Sequence, residues 1–294
     1  MMSARRIPLL LIGAFAALYL IWGSTYLAIR IGVESWPPLM LAGVRFLIAG
    51  VLFYAWLRWR GVPSPSAREW RAAGLIGTLL LVGGNGGVSV AEHLGVASGV
   101  AALAVATMPL FALLFGLFWG QRARLLEWAG ILLGLLGIVL LNLGSNLQAS
   151  PLGAALLVFA AASWAFGSVW SRYLPLPAGP MASAAQMLVA GAVLLVLSPL
   201  TGERLTQMPS LAGWAVLAYL VVFGSIVAFS AYLYLLKTVR PAAATSYAYV
   251  NPVVAVLLGI FFAGERIVAA EWLAMLVIVG GVVLIGLPQW RRGQ

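Results

Sequence analysis

The sequence predicts an all-α integral membrane protein: ten transmembrane helices arranged as two inverted-topology five-helix repeats, with both termini in the cytoplasm. Three observations carry that prediction. Hydrophobic residues form 63% of the 294-residue chain and charged residues only 8%, with a mean hydropathy of +1.05, against about 25% charged in a soluble domain. The chain also matches itself. Shifted by 143 positions, Val96–Gly116 falls on Val239–Gly259 without a gap, with identities at Val96/Val239, Ala101/Ala244, Pro109/Pro252, Ala112/Ala255, Leu114/Leu257 and Gly116/Gly259. Third, the basic residues are sorted to one side of the membrane.

Ten apolar spans of roughly 17–25 residues, each long enough to cross a bilayer, lie at about Pro8–Ile31, Pro38–Leu57, Ala72–Leu94, Ser98–Trp119, Glu127–Leu143, Pro151–Tyr173, Pro180–Ser198, Ala212–Leu236, Pro241–Ala263 and Val268–Leu287. Arg5 and Arg6 precede the first span as they would a signal peptide, but the apolar run continues to Ile29. A signal core is about 7–15 residues, so this is read as a retained first helix. The longer connections carry turn chemistry, as in Arg60-Gly61-Val62-Pro63-Ser64-Pro65 and Pro199 to Ser210.

With the N-terminus inside, Arg5, Arg6, Arg58, Arg60, Arg68, Arg71, Arg122, Arg124, Arg172, Lys237, Arg240, Arg291 and Arg292 all fall inside, out of 17 basic residues. Only Arg30, Arg204 and Arg266 fall outside, and Arg45 lies within the second span. Basic residues accumulate in cytoplasmic loops, which accounts for the net charge of +10 without nucleic acid as a partner. The chain has no Cys and no Asp, which removes disulfides, thiolate metal sites and cysteine nucleophiles.

The repeat extends across the chain. Trp22 and Arg30 are spaced like Trp164 and Arg172; Ala49-Gly50 answers Ala190-Gly191, Gly84 answers Gly224, and Glu127-Trp128 answers Glu271-Trp272. The two halves are therefore residues 7–143 and 151–287, five spans each. Five is odd, so the second half enters the membrane upside down. Inverted repeats are a recurring plan of secondary transporters, with the site between repeats near the midplane.

The segments IWGSTYLAIR (Ile21–Arg30), GVRFLIAG (Gly43–Gly50), the Pro109 helix, FGSIVAFSAYLYLLKTVRPAAATSYAYVNPVVAVLLG (Phe223–Gly259) and Gly264-Glu265 resemble the EamA family of the drug/metabolite transporter superfamily. Ala91-Glu92-His93 and Ser246–Pro252 look like the YedA-type exporters in detail. The resemblance spans essentially the whole chain. It implies ten helices, a multi-pass location in the bacterial inner membrane and export of small amphipathic metabolites, amino acids or drug-like compounds, by alternating access. More distant members exchange nucleotide sugars, but no dense Lys/Arg cluster lies within these spans to meet phosphates. Gly120-Gln121 departs from the Gly-Glu pattern that Gly264-Glu265 keeps.

Candidate site residues follow from spacing and polarity. Trp22, Tyr26 and Arg30 share one helix stripe at i, i+4 and i+8, and Trp164, Ser168 and Arg172 repeat it. For both arginines an interfacial position at a helix end is the favoured reading, whereas Trp22 and Trp164 lie deep enough for either a transport path or helix packing. Arg45 sits roughly 10 Å along the second span at about 1.5 Å per residue, where a charge needs a partner or a wet cavity. Its expected partner is Glu92, with His93 titrating beside it, as a gate or coupling site; snorkelling toward Glu34 or headgroups is the alternative. Its repeat mate is Gln186.

Gly83-Gly84-Asn85-Gly86-Gly87 reads either as tight packing or as a hinge that exposes Asn85. Around Pro252, Tyr247, Tyr249 and Asn251 face Ala104, Ala106 and Met108 of the first copy, a broken symmetry expected at a substrate cavity. Pro109 and Pro252, with Gly84 and Gly224, are the expected bending points, since membrane helices tolerate an internal proline.

Ser89 and His93 share a face, but Gly87-Val88-Ser89-Val90-Ala91 misses the G-x-S-x-G pattern and no Asp orients the imidazole, so an intramembrane hydrolase is the contrasting class. A channel is a third. The lone His leaves no metal site, and no phosphate-binding loop accompanies Lys237, so no cofactor is expected. The expected partners are a small-molecule substrate, the bilayer and, as candidate coupling ions, protons; no nucleic acid and no obligate protein partner.

Overall fold

The computed structural model describes residues 9–94, 105–122, 124–141, 151–263 and 269–290. Regular structure among these is entirely helical: α1 (Leu9–Gly32), α2 (Pro38–Trp59), α3 (67–93), α4 (Met108–Phe118), α5 (Leu125–Leu141), α6 (Pro151–Trp170), α7 (Met181–Leu200), α8 (211–238), α9 (Tyr247–Ala263) and α10 (Ala269–Trp290). A single helical turn, Pro241–Ala244, precedes α9. Five helical stretches of the described residues are long and apolar enough to cross a membrane: Pro38–Trp59, Ala67–Ala91, Pro151–Trp170, Met181–Leu200 and Leu211–Thr238. Shorter apolar stretches are Leu9–Thr25, Met108–Phe118, Leu125–Leu140 and Trp272–Ile285.

The helix starts are set by local chemistry. The α3 helix begins at Ala67, earlier than hydropathy suggests, because Ser66 and Glu69 form a capping box: the Glu69 N–H donates to Ser66 Oγ, and the Ser66 N–H donates to Glu69 Oε2 at 2.7 Å. This satisfies two otherwise orphaned donors. At α8, the Ser210 side chain accepts from the Gly213 N–H. The α2 helix is capped from a distance: Glu203, after α7, accepts from the Leu39 and Met40 N–H groups at 2.9 and 3.0 Å, while Ser198 Oγ donates to it at 2.8 Å. An anion at a helix N-terminus is favoured by both these bonds and the helix dipole.

Packing obeys the repeat. The most extensive contacts are α5 with α10 and α2 with α7, the fifth and second helices of each half paired with their own mates. The others are reciprocal: α1 packs on α8 and α9, as α6 packs on α3 and α4. Small residues make the mate pairs possible. A Cβ on Gly50 would lie 2.7 Å from the Leu188 nitrogen, and one on Gly191 would lie 2.4 Å from that of Leu47. Gly130 and Gly281 meet similarly between α5 and α10. Apolar packing between helices in lipid depends on such close approach.

Two features depart from expectation. Pro109 is not midway along a helix. The chain turns at Ala106-Thr107 and α4 begins at Met108, which places Pro109 in the first turn, where its missing N–H has no helical partner to lose. Pro252 does lie inside its helix, α9, after a break at Thr245-Ser246. The second feature is a pair of π-helical segments, Thr78–Gly86 within α3 and Leu220–Val227 within α8. Gly84 and Gly224, the glycines paired by the repeat, each lie in one of them.

Candidate functional site

A cavity of about 90 Å³ lies where both π segments meet the first helix of the opposite half. Its walls are built from repeat mates: Trp22 with Trp164, Gly84 with Gly224, and Met108 with Asn251 all line it. Ser89 and Phe229, each five residues beyond its π glycine, line it too. Asn85, Arg45 and Tyr247 complete the set of expected residues found there, and Thr25, Phe46 and Val105 add contacts that spacing did not single out.

The π segments are held against this cavity by the opposite half. Trp22 Nε1 donates to the Gly224 carbonyl at 3.0 Å, and Ser163 Oγ on α6 donates to Leu79 O of the α3 segment at 2.8 Å. A Cβ on Gly84 would lie 2.6 Å from the Trp164 ring, so this glycine admits the indole. The aromatic wall is continuous: the Trp22 ring lies 4.7 Å from Tyr247, 5.4 Å from Tyr232 and 5.6 Å from Trp164, centroid to centroid. Such separations suit offset and edge-on ring pairs.

Arg45 is buried, and its bonds run to α8: Nε donates to Ser225 Oγ at 2.8 Å and Nη2 to Gly224 O at 3.2 Å. Its guanidinium also lies over the Phe46 ring at 4.7 Å. The expected partners Glu92 and His93 have side chains outside the described residues, as does Tyr26. Ala104, Gly264 and Glu265 also lie outside them. Gln186, the mate of Arg45, is fully buried away from the cavity, and neither side-chain amide atom has a partner among the described residues.

Two expected cavity residues are placed elsewhere. Tyr249 is fully buried against α5, where a Cβ on Gly134 would meet its ring at 3.0–3.1 Å. Two positions along a helix turn a side chain by about 200°, so Tyr247 facing the cavity directs Tyr249 away. Ser168 sits behind the wall. Its hydroxyl lies 2.6 Å from Trp164 O and 2.5 Å from the Tyr232 hydroxyl, which also accepts from Trp164 Nε1 at 2.8 Å. Tyr232 therefore fixes the rotamer of Trp164, a role no repeat or motif signalled.

Two features flank the site. A wider depression of about 720 Å³ is lined by the α1–α2 connection, the α7–α8 connection and the end of α3. Elsewhere, Arg240 pairs with the fully buried Glu127 and donates to Arg122 O at 2.9 Å, while Glu127 accepts from the Arg124 N–H at 2.9 Å. These contacts tie the α8–α9 connection to the start of α5. Among the described residues no group of His, Cys, Asp or Glu could hold a metal ion.

The family model for the EamA-like transporter family matches residues 9–143 and again residues 151–287. The chain is 56% identical over 280 residues to the uncharacterized inner membrane transporter YedA of Escherichia coli (strain K12), covering 95% of this chain and 92% of that one. It is 24% identical over 304 residues to a protein of the same organism described as a probable amino-acid metabolite efflux pump, covering 92% and 93% of the two chains. One solved crystal structure superposes with a TM-score of 0.79 at 25% identity, covering 95% of this chain and 98% of the other.

Proposed function

The chain belongs to the EamA-like transporter family, and we propose that it is a secondary transporter that exports small amphipathic metabolites, amino acids or drug-like compounds, by alternating access. Its relatives are membrane transporters rather than enzymes, and it is a multi-pass protein of the inner membrane. The observation that supports the mechanism is the central cavity, to which both halves contribute, with Trp22/Trp164, Gly84/Gly224 and Met108/Asn251 as equivalent positions. A site straddling the pseudo-symmetry of inverted repeats can be offered to either side by exchanging the conformations of the halves. On this reading the described residues are part of ten spans with both termini cytoplasmic. Trp22, Trp164 and Tyr247 supply the apolar wall, Asn85 and Asn251 the polar contacts, and the π segments at Gly84 and Gly224 the flexible points. π insertions are frequent at functional sites.

Flux of a panel of amino acids and drug-like solutes into proteoliposomes containing only this protein tests the proposal, run with and without a pH gradient. Saturable flux is expected. Conductance without saturation would mark a channel, and chemical conversion without movement an enzyme. Glu92 and His93 are the candidate proton-coupling groups, so Glu92→Gln is expected to abolish stimulation by the gradient while sparing downhill flux.

A further inference from the structure

We propose that the central cavity selects organic anions, with Arg45 seating a single carboxylate at the polar end of the substrate; this rests on the transport reading above and narrows its substrate class. Arg45 is 4% exposed, yet the acceptors its guanidinium meets among the described residues are neutral: the Ser225 hydroxyl and the Gly224 carbonyl. A guanidinium has five N–H donors in a fixed fork, and the other three find no acceptor among the described residues. A buried charge ordinarily keeps a counter-ion or a wet cavity. Here Arg45 lines the cavity, and among the described residues no acidic side chain lines it with Arg45.

The neighbouring polar groups favour the same ligand. Thr25 Oγ1 donates to Trp22 O at 2.7 Å and Ser89 Oγ donates to Asn85 O at 3.0 Å, so neither hydroxyl proton is aimed at the cavity. Gly224 O already accepts from both Trp22 and Arg45. Asn251, 1% exposed and lining the cavity, has an Oδ1 without a partner among the described residues. Its amide carries two N–H donors, and Asn251 lines the cavity together with Arg45. The lining thus combines a fixed positive charge and an amide with the rings of Trp22, Trp164 and Tyr247. A fork of donors beside aromatic rings fits a carboxylate on a planar apolar body. A cationic solute would meet like charge, with no carboxylate among the described residues of the wall to offset it.

The cavity is small in this state, so single-ring probes are appropriate: benzoate, benzamide and benzylamine differ chiefly in charge. Isothermal titration of the purified protein in detergent is expected to show benzoate binding at least about tenfold more tightly than benzamide, as charge-assisted hydrogen bonds exceed neutral ones, with no heat from benzylamine. Arg45→Gln is expected to bring benzoate and benzamide to equal affinity, and Arg45→Lys to keep part of the preference. Benzamide or benzylamine binding as well as benzoate, no binding of benzoate, or a preference that survives Arg45→Gln would each overturn the proposal. The wild-type ranking decides even where Arg45→Gln fails to fold. Binding is read here without a membrane or gradient. Retained anion preference without liposome flux would therefore sink the transport reading alone, and flux without that preference would sink this one.

Discussion

The two π segments are the same backbone device used twice, yet they are secured differently. Thr78–Gly86 is held by neutral contacts: Ser163 reaches Leu79 O, and the Trp164 ring lies against Gly84. Leu220–Val227 is held by a charge, with Arg45 bonding Ser225 and Gly224 O and with Trp22 sharing that carbonyl. The first is a shape fit and the second an electrostatic clasp. What the halves share is the opening of the helix; what distinguishes them is the chemistry that fills it. Duplication supplies a symmetric frame, and divergence at the filling residues makes the cavity between the halves asymmetric.

Alanine substitution of the paired glycines should separate them most strongly. In Gly84→Ala the new Cβ meets the indole of Trp164 at 2.6 Å and its Cβ at 3.2 Å. That overpacking is expected to cost about 1–3 kcal/mol and most of the flux. In Gly224→Ala the nearest atom is Arg45 Nη2 at 3.1 Å, the far end of a long side chain, so the cost should stay below about 1 kcal/mol. Melting temperature in detergent and liposome flux check both; equal losses would remove the distinction between fit and clasp.

A middle-sized effect is expected from the serines. Ser225→Ala strips Arg45 Nε of its acceptor in a buried setting, expected to cost about 1.5–3 kcal/mol, whereas Ser163→Ala removes a neutral bond worth about 1 kcal/mol. Chemical denaturation of the two variants side by side gives the ranking, and Ser163→Ala proving the more harmful would reverse it. The smallest effect belongs to Tyr249→Phe. The hydroxyl is buried with no partner among the described residues, so its loss is expected to be neutral or slightly stabilising and to leave probe affinity unchanged. A tenfold loss of affinity would return Tyr249 to the site.

Much of this was legible because the chain repeats. Trp22 and Trp164, and likewise Gly84 and Gly224, were paired by spacing alone, and all four line the cavity. Membrane class and family also followed directly from residues and motifs. Roll and rotamer did not: Tyr247 and Tyr249 sit on opposite faces of α9, and nothing in the sequence says which face meets the cavity. The break ahead of Pro109 was hidden because a proline suits both a kink and a first turn. The π segments leave no pattern of their own, since a glycine run permits tight packing and an extra residue per turn equally. The bonds of Arg45 to Ser225 and Gly224 were not foreseen because they depend on α8 crossing α2, a tertiary fact separated by about 180 residues.

The cap that Glu203 places on α2 has a mechanical consequence. Glu203 and Ser198 belong to the end of α7 and the turn after it. They grip the first turn of α2 by two backbone N–H groups, while Gly50 and Gly191 interlock the same two helices farther along. Fastened at one end and meshed along its length, this pair behaves as a strut: any rearrangement that preserves these contacts carries α2 and α7 together. On the proposed alternating-access reading, the remaining helices would move against this pair, with the π segments as the proposed flexible points.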